Sequence, residues 1–178
     1  MIDRYATESI AFIETGTNVG STLAYMAGKY PFMKCLSCEP SLKAFVRAIE
    51  NTDNLENVRL FNEDSDIFMR RIESYYKYLF KGPVLFWLDA HGQGSSWPLK
   101  SEVRFITTHF NRGYIFIDDF LVPGKPMFNH DSYGGHACSF NYIRDSIKSR
   151  YNISYPDYTE RTSKHHPLVG WGLIEFFR

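Results

Sequence analysis

An α/β fold, a doubly wound and mostly parallel sheet with helices on both faces, is what this 178-residue sequence predicts, and three observations predict it. Strand-like apolar runs and helix-like periodicities alternate five times with almost no break, the pattern of parallel strands joined by right-handed crossovers. The most apolar run, Val84-Leu85-Phe86-Trp87-Leu88, shows no polar alternation and so reads as a central strand covered on both sides. The last two strand signals have no helix between them, which predicts an antiparallel pair at one end of the sheet.

The elements follow in order. Ile10 to Ile13 is a buried strand that enters a glycine turn at Glu14-Thr15-Gly16. Ser21 to Lys29 reads as a helix with Leu23, Met26 and Ala27 on one face. Met33 to Cys38 is a second strand, closed by Glu39-Pro40-Ser41. The next helix carries Leu42, Phe45, Val46 and Ile49 at helical spacing, which predicts that this face is buried. Val58 to Phe61 is a third strand and Asp66 to about Leu79 a third helix, broken by Lys81-Gly82-Pro83. After the central strand comes the Gly92 to Trp97 loop, and Pro98 then opens a helix bearing Leu99, Val103, Ile106 and Phe110. Tyr114 to Ile117 is a fifth strand. A helix with Phe140, Ile143, Ile147 and Tyr151 precedes two tail strands, around Ile153 to Tyr158 and Leu173 to Phe177. Neither a repeat nor a linker interrupts this order, so the reading is one domain over residues 1–178.

Composition narrows the function. The chain is 44% hydrophobic and 22% charged, ordinary for a globular protein, and unusually rich in aromatics at 17%. Twenty basic and twenty acidic side chains balance, which argues against broad attraction to nucleic acid. There is neither an apolar run long enough to span a membrane nor a basic-then-apolar leader, so a cytoplasmic protein with no membrane partner is expected. Three cysteines are too few for a disulfide framework. Cys35 and Cys38 form a C-x-x-C inside a buried strand and read as reduced, structural thiols. A zinc site would need Cys138 with His136 or His130 as well.

In an open doubly wound sheet, ligands bind beyond the carboxyl ends of the strands. The residues there are Glu14-Thr15-Gly16-Thr17-Asn18-Val19-Gly20, Glu39-Pro40-Ser41, Asn62-Glu63-Asp64-Ser65, Asp89-Ala90-His91-Gly92 and Asp118-Asp119. Gly16 and Gly20 let the backbone pass close to a ligand and turn into a helix. Glu14 stands where a dinucleotide enzyme has the first glycine of G-x-G-x-x-G. An acid there repels a pyrophosphate but accepts from an ammonium. Glu39 can accept from both hydroxyls of a ribose, and Asp64 with Ser65 from an adenine amino group. Together these suit a ligand with an ammonium, a ribose and an adenine, and without phosphate.

On these residues the sequence resembles the class I S-adenosylmethionine-dependent methyltransferases. Their first motif resembles Glu14 to Gly20, running on to Ser21 at the head of the helix, and the ribose acid resembles Glu39. The resemblance implies a seven-stranded sheet in the order 3-2-1-4-5-7-6 with the last strand antiparallel. It implies S-adenosylmethionine held by Glu14, Thr15, Gly16, Thr17, Asn18, Gly20, Ser21, Glu39, Pro40, Ser41, Asp64, Ser65 and Asp89. A narrower resemblance, to the divalent-metal-dependent O-methyltransferases of catechols and macrolide sugars, implies that Asp89, Asp118 and Asp119 hold magnesium, or manganese or calcium. Those enzymes acting on catechols have a lysine shortly after the first aspartate and an asparagine as third ligand; here His91 follows Asp89 and Asp119 fills the third place.

His91 is therefore the leading general base, acting beside Asp89, with His130 and His136 as alternatives. The Val122 to Gly135 stretch, rich in Gly and Pro, reads as a lid or substrate wall, and His165-His166 as surface. Few residues precede the first strand, so the pocket is expected to be open and completed by that loop or by a second subunit. The expected acceptor is a small molecule, a sugar or glycoside hydroxyl among the candidates. A nicotinamide-dependent oxidoreductase and a non-catalytic domain of the same fold are the rival readings.

Overall fold

The computed structural model describes residues 2–90, 97–158 and 168–178. The main sheet contains β1 (Ala11–Thr15), β2 (Lys34–Cys38), β3 (Val58–Phe61), β4 (Pro83–Leu88), β5 (Arg112–Ile117), β9 (Arg150–Ser154) and β11 (Gly172–Phe177). Their order is β3-β2-β1-β4-β5-β11-β9, which is the expected 3-2-1-4-5-7-6. All pairings among β1 to β5 are parallel, while β11 runs antiparallel to both β5 and β9. Short pairs β6 (Phe128–Asn129) with β10 (Leu168–Val169), and β7 (Ser132–Tyr133) with β8 (His136–Ala137), lie outside it.

The helices are α1 (Ile2–Ala6), α2 (Ser21–Lys29), α3 (Leu42–Thr52), α4 (Ser65–Tyr75), α5 (Leu99–His109) and α6 (Phe140–Ile143). Two apolar layers result, because side chains alternate across each strand. Ile13, Leu36, Phe86 and Ile115 pack with Phe68, Ile72, Val103 and Ile106 of α4 and α5. Phe12, Cys35, Leu85 and Phe116 pack on the other face with Leu23 and Met26 of α2. Cys35 and Cys38 fall in different layers, so the C-x-x-C spacing does not make a chelating pair. No helix among the described residues is long and apolar enough to cross a membrane.

Four local expectations need correction. Strand β1 runs on to Thr15, so Glu14 lies inside it rather than after it. The third helix ends at Tyr75, and a 3-10 segment (Lys77–Lys81) takes the chain to β4. The helix expected through Tyr151 is a single turn, α6, followed by a 3-10 turn (Arg144–Ser146). The amide of Lys148 there donates to Thr107 Oγ1 at 3.0 Å, and Tyr151 is already in edge strand β9. In α3 the buried residues are Ala48 and Thr52, while Leu42, Val46 and Ile49 are exposed. Gly20 explains that rotation. Its Cβ-less backbone packs on Ala48, where even a methyl group would approach Ala48 Cβ to 3.1 Å, so only a small side chain can face inward.

A candidate cofactor cleft and an acidic cluster

The turn after β1 is built from left-handed backbone. Gly16, Asn18 and Gly20 have φ of 80°, 50° and 82°, a conformation that favours glycine and tolerates asparagine. The amides of Gly16 and Thr17 both donate to the Cys38 carbonyl at 3.1 Å, and Gly20 donates to Thr17 at 2.9 Å. The turn is thereby tied to the end of β2, and Asn51 of α3 holds the Val19 carbonyl at 2.8 Å. Gly16 also lies against β4, because a Cβ on it would come within 2.4 Å of the Asp89 carbonyl oxygen.

Above this turn opens a cleft of about 340 Å³ lined by Gly16, Asn18, Glu39, Pro40, Ser41, Ala44, Asp89 and Ala90. Five of the expected ligand-holding residues, Gly16, Asn18, Glu39, Pro40 and Ser41, therefore converge with Asp89. Glu39 is nearly buried, and its carboxylate oxygens accept from the amides of Asn18 and Ser41, both at 2.8 Å. Each oxygen keeps a second lone-pair direction. One carboxylate thus fixes both turns of the rim while it faces the cleft.

Glu14, Thr15, Thr17, Gly20, Ser21, Asp64 and Ser65 are not among the lining residues. Glu14 is 2% exposed and accepts from Ser37 Oγ at 2.6 Å. Ser37 has a single hydroxyl proton, already given to Glu14, so it accepts in turn from Thr17 Oγ1. Burial pushes the Glu14 carboxyl up to about 8; the Ser37 hydrogen bond opposes this, and the charges of Asp89 and Glu39 add to it. The buried Thr15 hydroxyl has no hydrogen-bond partner among the described residues. Asp64 caps α4, accepting from the Ile67 amide at 2.9 Å, and Ser65 is buried. For Asp64 the helix-capping role, common for an acid after a strand, is the one in place.

At the ends of β4 and β5, Asp89, Asp118 and Asp119 bring one carboxylate oxygen each to within 4.8 Å of one another. Asp89 donates its amide to the Thr15 carbonyl at 3.0 Å, and Asp118 to Leu88 at 3.1 Å, so both ride on the sheet itself. Asp119 has φ 49°, which turns it back toward the other two. The oxygen-only donor set, with one half-buried side of the cluster adjoining the cleft through Asp89, suits a hard divalent cation.

The stretch after β5 is stitched to this cluster. The Asp131 amide donates to the Asp119 carbonyl at 2.9 Å, Cys138 to Asp131 at 2.8 Å, and Leu121 to Cys138 at 2.6 Å. Phe128 is buried, and Lys125 Nζ donates to the Pro156 carbonyl at 2.7 Å. The stretch expected to be a lid or substrate wall is therefore tied to the body of the fold at Lys125, Phe128 and Asp131. Burial first, and then the charges of Asp119, Asp131, Asp118 and Asp89, push the Cys138 thiol up. Tyr133, which donates to Asp131 at 3.2 Å, is raised to about 12 by burial, by that contact and by Asp119 and Asp89.

Sequence reading assigned no role to Asp131, Tyr133, Trp97 or Tyr142. Trp97 stacks on Tyr142 at 4.6 Å and meets Tyr133 at 5.2 Å, forming an aromatic wall whose Tyr133 senses the acidic cluster. Its signals in the sequence were the aromatic content and, for Tyr133, its place in the Val122 to Gly135 stretch read as a lid or substrate wall. His130 is exposed, and exposed His136 packs at 5.5 Å against Tyr142. His91, the expected base, and His165-His166 lie outside the described residues.

No sequence-family model matches the chain. Nor does any curated protein sequence. Solved structures do, and the fold they share with this chain is that of the class I S-adenosylmethionine-dependent methyltransferases. The O-methyltransferase TomG of Streptomyces achromogenes, involved in tomaymycin synthesis and solved with S-adenosylmethionine, aligns with TM-score 0.70 at 9% identity, over 99% of this chain and 78% of its own. The O-methyltransferase of Bacillus cereus, solved with S-adenosylhomocysteine, aligns with TM-score 0.68 at 14% identity, over 98% and 78%. An rRNA methylase of Streptococcus thermophilus aligns with TM-score 0.62 at 10% identity, over 99% and 94%.

Proposed function

We propose that this protein is an S-adenosylmethionine-dependent methyltransferase acting on a hydroxyl of a small molecule, a sugar or glycoside among the candidates, with a divalent metal ion completing its site. The observation that carries the reading is the juxtaposition of the Gly16–Glu39–Ser41 cleft with the Asp89–Asp118–Asp119 cluster. Asp89 belongs to both, so a methyl donor in the cleft and an acceptor at the cluster would meet over one residue.

The residues divide the work. Gly16 and Asn18 let the main chain lie close to the cofactor and Glu39 accepts from the ribose hydroxyls, while the buried Glu14 lies beneath the turn. Asp89, Asp118 and Asp119 would hold the ion, which lowers the pKa of a bound hydroxyl and orients it. Tyr133 and Trp97 form one wall of the acceptor side, and His91, His130 and His136 are the candidate proton acceptors. Positioning of oxygen and methyl in line is then the main source of rate.

Net charge balance and the absence of phosphate-binding chemistry at Glu14 support a small acceptor and a sulfonium cofactor over RNA or a nicotinamide. Isothermal titration of S-adenosylhomocysteine and of NADH tests this. Binding of the first at micromolar strength and of the second not at all is expected. The reverse order would sink the reading.

A further inference from the structure

Helix α3 presents to solvent the side chains that its sequence would bury. Leu42, Val46 and Ile49 stand at i, i+4 and i+7, one line along the helix, and are 65%, 46% and 44% exposed. The contact of Ala48 with Gly20 fixes this rotation, so the line cannot turn inward without opening the cofactor turn. A second line, Lys43, Arg47 and Glu50, runs beside it with the same spacing. None of these three forms an ion pair among the described residues.

The order of charge along α3 is the reverse of what the helix dipole favours, with basic residues in the first half and acid in the last turn. Local helix stability therefore does not account for it. A twofold axis that reverses the helix would pair its two halves. Two copies of α3 packed antiparallel across an axis beside Val46 would set Leu42 against Ile49 of the partner subunit, and Lys43 against Glu50 of the partner subunit. Arg47 lies about 40° farther round from the apolar line than Lys43, so it points to solvent rather than at its own copy.

We propose that the exposed face of α3 is a homodimer interface, in which Leu42, Val46 and Ile49 form the apolar seam and Lys43 and Glu50 form two symmetric ion pairs. A single helix pair is small for an interface, so the dimer is reversible, with a dissociation constant in the range of about 1 to 100 µM. Because Ser41, the N-cap of this helix, and Ala44 in its first turn line the cleft, each copy's cofactor site would sit beside the seam.

Sedimentation velocity of the full chain, from about 1 to about 200 µM, tests the proposal. A rise from monomer to dimer over that range is expected. Val46→Glu, which puts two like charges at the axis, should weaken association by about 30-fold or more. Lys43→Glu should weaken it by about tenfold, and Lys43→Glu with Glu50→Lys should restore it to within about threefold of wild type. A chain that stays monomeric at the highest concentration overturns the proposal. So does a Val46→Glu protein that dimerises as wild type does, or a charge swap that fails to restore. If Val46→Glu proves unfolded in a thermal melt, the exposed Lys43 and Glu50 variants decide the matter by themselves.

Discussion

Gly16 lies so close to Asp89 that the ends of β1 and β4 share one small volume, with room for a backbone and none for a methyl group. A Cβ at Gly16 would sit 2.4 Å from the Asp89 carbonyl oxygen, an atom held by the sheet and unable to swing aside. With φ 80° the residue is also in left-handed backbone. Gly16→Ala is expected to destabilise the protein by more than about 2 kcal/mol and to abolish S-adenosylhomocysteine binding. Gly134→Ala is the control: φ is 56° but nothing lies within 4 Å, so only about 1 kcal/mol of backbone strain should appear. Equal losses in urea unfolding would show that the close approach does not constrain the turn.

Glu39 has two tasks that substitution can separate. Its carboxylate holds the Asn18 and Ser41 amides and also faces the cleft. Glu39→Ala removes all of this and should cost about 1.5–3 kcal/mol in S-adenosylhomocysteine affinity, the range for hydrogen bonds to a charged group. Glu39→Gln keeps only one acceptor oxygen, so an intermediate loss is expected. Calorimetry that finds the Ala variant as tight as wild type would remove Glu39 from the cofactor site.

How much of this was legible beforehand differs between sheet and site. The strands, their alternation with helices and the antiparallel end followed from continuous apolar runs, a local feature of sequence, while the order of the sheet was what the resemblance to the class I methyltransferases implied. Glu39 and the three aspartates were equally visible, because position after a strand places a residue at the ligand edge whatever packs below it. The rotation of α3 was not visible. Amphipathic spacing predicts an apolar face inward, but the steric demand of Gly20 on Ala48 is a contact between distant residues, and it won. Asp64, expected at the adenine, also caps a helix, and both roles call for the same residue in the same place, so sequence alone does not separate them. Asp131 and Tyr133 are brought to the acidic cluster by a loop whose backbone bond from Asp131 to Asp119 no spacing rule encodes.

The buried Glu14 carboxyl should make stability depend on pH. Its pKa lies near 8 in the folded chain against 4.5 as the ordinary value. Between those limits the folded state holds a proton that the unfolded state has lost. The folded state is then favoured at low pH, and stability declines as pH rises from about 4.5 to about 8, by a few kcal/mol at most. Glu14→Gln, which stays neutral throughout, should flatten that decline and be the more stable form at pH 8. Urea unfolding at pH 5, 6.5 and 8 reads the difference, and parallel pH profiles for the two proteins would refute the assignment.

The metal is the sharpest claim of the proposed function. Asp89, Asp118 and Asp119 place three carboxylate oxygens within 4.8 Å of one another. Like charges at that separation repel, and a divalent ion among them offsets the repulsion while leaving coordination positions for water or an acceptor hydroxyl. Sheet backbone fixes Asp89 and Asp118, so the site is formed by folding rather than by the ion. Magnesium or manganese should therefore bind with oxygen ligands at about 2.0–2.2 Å, and calcium at about 2.3–2.6 Å. Asp118→Ala and Asp119→Ala should each lower manganese affinity by about tenfold or more, as seen by calorimetry. Neither residue lines the cleft, so S-adenosylhomocysteine binding should stay within about threefold of wild type. Excess chelator should abolish methyl transfer and spare cofactor binding. Full transfer activity in chelator, or manganese binding indifferent to both substitutions, would discard the metal and leave the methyltransferase reading intact.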